Sequence, residues 1–215
     1  MESHLTDHLV NLLDHDVRAP MKNFVYFLSL SESDALDYGK FSMKPFLEPF
    51  FASSSFFVEN FIIWNKIIKE GACLAKPYYV SEIIKEIKES FSYQLAAKNI
   101  HIIFDGEQTQ FLAIDRLTFS FVLKNIFFTT INYSNKGNVI CVKLSGDHRV
   151  LEISSIDMFM PSNKIERIFN MEEYKNVSGR DIGVLLSQYV LRSFDSSFSY
   201  VQNDSGEGVF KWYLS

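Results

Sequence analysis

The first thirty residues carry an apolar pattern that fits one long amphipathic helix. Apolar side chains recur there at steps of three and four residues, at Val10, Leu13, Val17, Met21, Phe24 and Leu28. Because an α-helix has about 3.6 residues per turn, these side chains share one face. We expect a helix from about Ser3 to Ser31, kinked at Pro20.

His15 lies away from the apolar face of this helix, two residues from both Leu13 and Val17. We therefore expect its imidazole to be exposed to solvent. An exposed imidazole can act as a nucleophile, and the adjacent carboxylate of Asp16 can hold its tautomer and accept its proton. The alternatives are a surface histidine without a chemical role, or a zinc site with His4 and His8, for which the sequence offers no acidic or thiol ligand to complete the set.

A second helix is expected from Pro45 to about Lys69, because proline is tolerated in a first helical turn and Gly71 ends the pattern. Its large side chains follow a seven-residue spacing with a second set four residues on, at Phe50, Phe57, Trp64, Ser54, Phe61 and Ile68. Two helices cannot bury so much aromatic surface, so residues 1–72 are expected to pair with a second copy as a dimeric four-helix bundle. The alternative is that this seam packs against the C-terminal part of the same chain.

From residue 77 the pattern changes to mixed helices and strands. Helices are expected over 80–98, 115–133, 163–169 and 182–194, and strands over 100–104, 111–114, 139–144, 150–155, 198–202 and 208–213. This order predicts an α+β fold, in which residues 77–215 form an α/β sandwich with a mostly antiparallel sheet and helices on one face.

Composition excludes several classes of function. The net charge of -5 and the pI near 5.6 are unlike those of a nucleic-acid-binding protein. Cys73 and Cys141 show no metal-binding spacing, as expected of reduced thiols in the cytoplasm. The start of the chain lacks the pattern of a signal peptide, and polar residues interrupt the most apolar run, 56–68, so we expect no membrane span.

Two stretches resemble parts of two-component sensor histidine kinases. The run from His15 to Met21 resembles the H-box, with six of its seven positions in agreement. In the C-terminal part, Asp115 and residues 122–125 resemble the start of an N-box, residues 165–169 an F-box, and Gly179 with Gly183 the last glycine-rich box. The resemblance implies a dimerisation and phosphoacceptor hairpin followed by an ATPase-like domain of the GHKL, or Bergerat, type.

The N-box departs from the family pattern at the position that coordinates magnesium. The family's asparagine there, four residues after Asn125, is Thr129 in this chain, and Asn132 replaces a basic residue that neutralises phosphate. Both changes are expected to weaken nucleotide binding.

The glycine-rich boxes also depart from the family pattern in ways that are expected to weaken nucleotide binding. Asp157, which in the family reads adenine, is retained, but Phe159 and Pro161 follow it, and Phe159 is expected to fill the adenine space. Asp181 brings a negative charge to the phosphate-binding turn, between Gly179 and Gly183. Three lost contacts of about 1.5 kcal/mol each would weaken ATP binding roughly a thousandfold, so we expect a degenerate ATP site without cofactor or metal.

These features together predict a histidine phosphotransferase of a two-component phosphorelay. His15 would carry a phosphoryl group between receiver-domain aspartates, with Asp16 as its orienting base and Arg18 holding the phosphate or the partner's acidic surface. The magnesium ion would come from the receiver, and Ala19, in place of a water-positioning residue, predicts little phosphatase activity. The expected partners are response-regulator receiver domains, a hybrid histidine kinase and a second copy of the chain. Two alternatives stay open: an ATP-dependent histidine autokinase lacking its own sensor, and a non-catalytic pseudokinase that regulates a kinase or receiver.

Overall fold

The structure is a computed structural model that describes residues 44–70, 77–106, 111–112, 115–145, 150–169, 181–204 and 206–214. The chain divides into two compact units, Met1–Glu59 with Ser178–Arg180, and Asn60–Val177 with Asp181–Ser215. The predicted first helix over 3–31, including His15, Asp16 and Arg18, lies outside the described residues.

The helices are α1 (Lys44–Glu70), α2 (Val80–Ser90), α3 (Ser92–Lys98), α4 (Arg116–Tyr133), α5 (Ser162–Phe169) and α6 (Ile182–Arg192). The strands are β1 (Tyr78–Tyr79), β2 (His101–Asp105), β3 (Phe111–Leu112), β4 (Val139–Leu144), β5 (Val150–Ser155), β6 (Ser197–Gln202) and β7 (Gly208–Tyr213). In the described part of the chain, no helix is long and apolar enough to cross a membrane.

Strands β2, β4, β5, β7 and β6 form a five-stranded sheet in that order. The pair β2–β4 is parallel, and the three other pairs are antiparallel. The predicted hairpin strands over 139–144 and 150–155 are confirmed, as is the mixed α+β class. A separate pair joins β1 to β3.

The single helix predicted over 80–98 is wrong, because the chain breaks at Phe91. Its φ of -107° and ψ of 14° place it outside the helical region, and it separates α2 from α3. The ring of Phe91 is buried and lies 6.3 Å from that of Phe128 on α4, measured between centroids. Tertiary packing of one aromatic side chain therefore outweighs the helical pattern of the sequence.

The core lies between the inner face of the sheet and the helices. Phe119 of α4 stacks on Trp212 of β7 with 5.0 Å between ring centroids, and both side chains are almost fully buried. Asp115 caps α4, its carboxylate accepting a hydrogen bond from the Thr118 amide at 2.7 Å. Helix α4 is buried on most of its surface, so it forms the centre of this layer.

The C-terminal turns of α1 pack on α6 within the second unit. The rings of Trp64 and Tyr189 lie 6.1 Å apart between centroids, and Ile67 is buried. The seam predicted for α1 therefore packs, at Trp64, against the C-terminal part of the same chain, which is one of the two arrangements that the sequence leaves open.

The C-terminal end of α4 is closed by an ammonium group from α3. Lys98 Nζ donates to the carbonyl oxygens of Ile131 at 2.7 Å, Asn132 at 2.9 Å and Ser134 at 3.1 Å. A helix end leaves such carbonyls without intrahelical partners, and the helix dipole favours a positive charge there. Lys98 thus joins α3 to the end of the central helix.

Replacing Lys98 with Met is expected to lower the free energy of unfolding by about 1–2 kcal/mol, because the carbonyls at the end of α4 lose their cation. Urea denaturation followed by circular dichroism would measure the loss. Lys85→Met, at an exposed position on α2, is the matched control. Equal stability of the two variants would contradict this role for Lys98.

Candidate functional site

The candidate site residues within the described ranges lie on α4, at the start of α6 and after β5. Asn125 and Thr129 stand one turn apart on α4, each only 1% exposed. Asp181 and Gly183 lie at the first turn of α6, and Asp157 follows β5. Gly179 lies outside the described residues.

Asn125 and Gly183 bring α4 and α6 into close contact. A Cβ atom on residue 183 would lie 2.2 Å from Asn125 Oδ1 and 2.8 Å from its Cγ. Within the described part of the chain, neither amide atom of Asn125 has a hydrogen-bond partner. Packing therefore requires glycine at position 183, because any larger residue would collide with the buried amide of Asn125.

Asp181 is part of a cluster with Tyr133 of α4 and Lys164 of α5, here called the Asp181 cluster. Tyr133 Oη donates to Asp181 Oδ1 at 2.9 Å, and Lys164 Nζ donates to Tyr133 Oη at 2.6 Å. Lys164 Nζ also lies 3.3 Å from Asp181 Oδ2 and 5.1 Å from the centroid of the Tyr133 ring. The cluster links three helices at the start of α6.

Burial gives the Asp181 cluster its electrostatic character. The Asp181 side chain is 3% exposed, whereas that of Lys164 is 36% exposed. The hydrogen bond with Tyr133 raises the pKa of Lys164, so its ammonium stays charged at neutral pH. Burial raises the pKa of Tyr133, which keeps the phenol protonated and able to donate. The carboxylate of Asp181 is thus paired with the ammonium group of Lys164 within the cluster.

The segment after β5 differs from the expectation that Phe159 fills an adenine space. Phe159 is 64% exposed, while Met158 and Met160 on either side are almost fully buried. The Met158 carbonyl accepts hydrogen bonds from Tyr200 Oη at 3.3 Å and Gln202 Nε2 at 3.4 Å. Because β6 holds the backbone in this way, the methionines point inward and Phe159 points to solvent.

Asp157 lies on the turn between β5 and this segment. Its φ of 54° is in the left-handed region, and its side chain is exposed. Aspartate tolerates this conformation better than most residues do. The backbone conformation therefore explains an aspartate at position 157 without a bound ligand.

Sequence reasoning missed Tyr133 and Lys164 as site residues. Their partner Asp181 lies 48 residues after Tyr133 and 17 residues after Lys164, so no local spacing connects the three. The sequence offered one signal, the carboxylate of Asp181. A carboxylate at the start of a buried helix needs a cation beside it, so a nearby lysine or arginine could have been expected. Among the described residues, no group of three or more His, Cys, Asp and Glu side chains could hold a metal ion.

The contact between α4 and α6 predicts a coupled effect of two substitutions. Gly183→Ala is expected to lower the free energy of unfolding by about 1–3 kcal/mol, because the methyl group collides with the Asn125 amide. In an Asn125→Ala background the same substitution should cost markedly less, since the colliding atoms are gone. A double-mutant cycle by urea denaturation measures this coupling, and additive effects would contradict the contact.

The Asp181 cluster predicts a loss of stability at alkaline pH. Because the pKa values of Lys164 and Tyr133 are raised by folding, both groups stabilise the fold below their ordinary pKa values, and this contribution is lost as the pH rises above about 10. Lys164→Met should be less stable at pH 7 by about 1–2 kcal/mol and should show a smaller further loss between pH 9 and pH 11. Parallel curves for the two proteins would argue against this coupling.

No family model matches this sequence, and no curated protein matches it. Solved structures do match. The Acinetobacter baumannii histidine kinase AdeS superposes with a TM-score of 0.67 at 15% identity, over 94% of this chain and 97% of that chain. The catalytic domain of histidine kinase ThkA gives 0.53 at 16% identity, over 66% and 97%.

A third solved structure contains a partner protein. Histidine kinase ThkA in complex with response regulator protein TrrA superposes with a TM-score of 0.61 at 15% identity, over 96% of this chain and 61% of that chain. Identities this low show a shared fold alone. The chain accordingly has a histidine kinase-like fold.

Proposed function

We propose that this chain is a histidine phosphotransferase of a two-component phosphorelay, passing a phosphoryl group between receiver aspartates through His15 without ATP. The Asp181 cluster is the observation that carries this proposal. It places a carboxylate, paired with its own lysine, at the start of α6, within the stretch of sequence that resembles the last glycine-rich box.

The start of α6 is poorly suited to a triphosphate. Helix N-termini bind phosphate because their amides and dipole favour negative charge, and added cations strengthen the binding. In this chain Asp181 would repel the phosphates, and the ammonium of Lys164 is already paired with it. Nucleotide binding would therefore have to break an internal ion pair before gaining any contact.

The residues on α4 are also a poor fit to magnesium. Magnesium prefers carboxylate and carbonyl oxygens in octahedral geometry. Thr129 offers a hydroxyl group in a position that is 1% exposed, and Asn125 lies against Gly183 of the opposing helix. The donor set does not match a magnesium nucleotide, so we assign no chemical step to one.

In the proposed reaction an imidazole nitrogen of His15 attacks the phosphorus atom of a receiver's phosphoaspartate. The new N–P bond forms as the bond from phosphorus to the aspartyl oxygen breaks, and the electron pair returns to that carboxylate. Asp16 orients the ring and accepts its proton, while Arg18 balances charge on the phosphoryl group. Transfer to a second receiver reverses these steps, and the magnesium ion belongs to the receiver.

The likeness to a histidine kinase that is complexed with a response regulator supports receiver domains as partners. A hybrid histidine kinase is a suitable phosphoryl source, because it carries its own receiver. We place the reaction in the cytoplasm, with residues 1–72 forming a homodimeric bundle and 77–215 a degenerate ATPase-like domain that serves as a docking surface. Nucleic acid is not a proposed partner, given the acidic composition.

An ATP-dependent histidine autokinase is the second candidate, favoured by the likeness of the whole chain to the kinase AdeS. It requires a nucleotide to displace Lys164 from Asp181. The two functions differ in the source of the phosphoryl group, which labelling can identify.

The full chain should acquire label from phosphorylated receivers and pass it to a second receiver, but should acquire almost none from labelled ATP with magnesium. His15→Gln should abolish the transfer, because no nucleophile remains, whereas His101→Gln at an exposed strand position should leave it intact. Phosphohistidine formation is measured by acid-labile label on the chain.

Labelling of the chain from ATP at kinase-like rates would contradict the phosphotransferase function and support the autokinase function. Absence of transfer from a known set of cognate receivers, with cellular function retained in His15→Gln, would instead identify a non-catalytic pseudokinase.

A further inference from the structure

The face of the five-stranded sheet opposite the helices carries a row of alternating charges. Asp105 of β2 pairs in register with Lys143 of β4, which pairs with Glu152 of β5, and Glu152 pairs with Lys211 of β7. Ser199 of β6 completes the row. Residues directly opposite on neighbouring strands point to the same side of a sheet, so the four charges lie side by side in the order minus, plus, minus, plus.

These side chains belong to the solvent-facing side, here called the outer face. The residues next to them along the strands, among them Val142, Ile153 and Phe210, are buried against the helices. On the outer face, by contrast, Asp105 and Lys143 are exposed, and Lys211 and Glu152 are partly exposed, with 2.9 Å between Nζ and Oε1.

Apolar side chains flank the charged row on the outer face. One register row holds Ile103, Cys141, Ser154, Val209 and Val201. Ile103 is 52% exposed, Val201 is 49% exposed, and Tyr213 on the other flank is 49% exposed. An open groove of about 320 Å³ crosses the charged row, lined by Lys143, Ser145, Val150, Glu152, Lys211 and Tyr213. The outer face thus combines exposed apolar side chains with an ordered set of charges.

The charge order is complementary to itself under one rotation. A two-fold axis parallel to the strands, between β4 and β5, would place Lys143 opposite Glu152 of a second copy and Asp105 opposite its Lys211. All four contacts would then be attractive, whereas an axis over β5 would oppose like charges. The same axis sets Ile103 against Val209. Facing sheets lie about 10 Å apart, a gap that lysine and glutamate side chains can bridge.

We propose that the outer face is a self-association surface, on which a second copy of this chain docks sheet to sheet in an isologous pair. This contact is separate from the helical bundle expected of residues 1–72 and does not depend on the proposed phosphotransfer. A chain that used both surfaces would form assemblies larger than the bundle dimer.

The contact is weak and sensitive to salt. Four strands about 4.8 Å apart and five residues long present roughly 250–350 Å² per copy, well below the roughly 800 Å² per partner of a standard interface. Exposed ion pairs contribute little individually and are screened by salt. We therefore expect association in the high-micromolar range, weakening between about 50 mM and 500 mM salt.

Charge reversal gives a selective test with the full chain. Positions 143 and 152 of one copy face positions 152 and 143 of the other. In Lys143→Glu, both of these contacts bring two carboxylates together. In Glu152→Lys, both bring two ammonium groups together. Each variant should self-associate at least tenfold more weakly than the wild type in sedimentation equilibrium. Mixed together, the two variants should form a pair, because the carboxylate introduced at position 143 then faces the ammonium introduced at position 152, and the unchanged Glu152 faces the unchanged Lys143.

Lys85→Glu on α2 is the matched control for the change in net charge in Lys143→Glu and should self-associate like the wild type. Thermal unfolding of each variant checks that the sheet persists, since Lys143 and Glu152 are also neighbours within one chain. Equal concentration dependence of mass for the wild type and both reversals would overturn the proposal, as would failure of the mixed variants to pair. Loss of phosphotransfer in His15→Gln leaves this result unchanged, so the two proposals can fail separately.

Discussion

The close approach of α4 to α6 is the constraint on which the rest of the candidate site depends. Two helices can meet this closely only where one of them lacks a side chain, and Gly183 provides that position against the Asn125 amide. The contact leaves a buried amide without hydrogen bonds among the described residues, which is costly. The stacking of Phe119 on Trp212 fixes α4 against the sheet, and the many buried apolar side chains of α6 pack into the same core.

Once the helices are this close, the start of α6 needs its own charge compensation. A carboxylate that is 3% exposed is stable only when it is paired, and Lys164 and Tyr133 supply the pairing from two other helices. In a nucleotide-binding protein the corresponding positive groups would face phosphate. Here the buried carboxylate is paired within the chain, and the chemistry proposed for the chain lies at His15 instead.

Local sequence patterns predicted most helices and strands well because those elements follow from short-range periodicity. The strands over 139–144 and 150–155 alternate buried and partly exposed residues as the pattern requires. The break at Phe91 and the outward direction of Phe159 were not predictable in this way. Both depend on what lies opposite in space: the ring of Phe128 in the first case and the hydrogen bonds of Met158 to β6 in the second.

The candidate site likewise has features that the sequence predicts and features that depend on tertiary contacts. The residue types at Thr129, Asp157 and Asp181 can be read from the sequence by their positions in the resembled motifs, and so can the resemblance of the run from His15 to Met21 to an H-box. The sequence by itself therefore determined the order of most elements, since that order depends on neighbours a few residues apart, and the resemblance predicted where residue types depart from a nucleotide site. Only the tertiary structure decided that Asp181 pairs with Lys164 and accepts a hydrogen bond from Tyr133, and that Asp105 and Lys211 join the charged row, because those contacts join residues far apart in the chain.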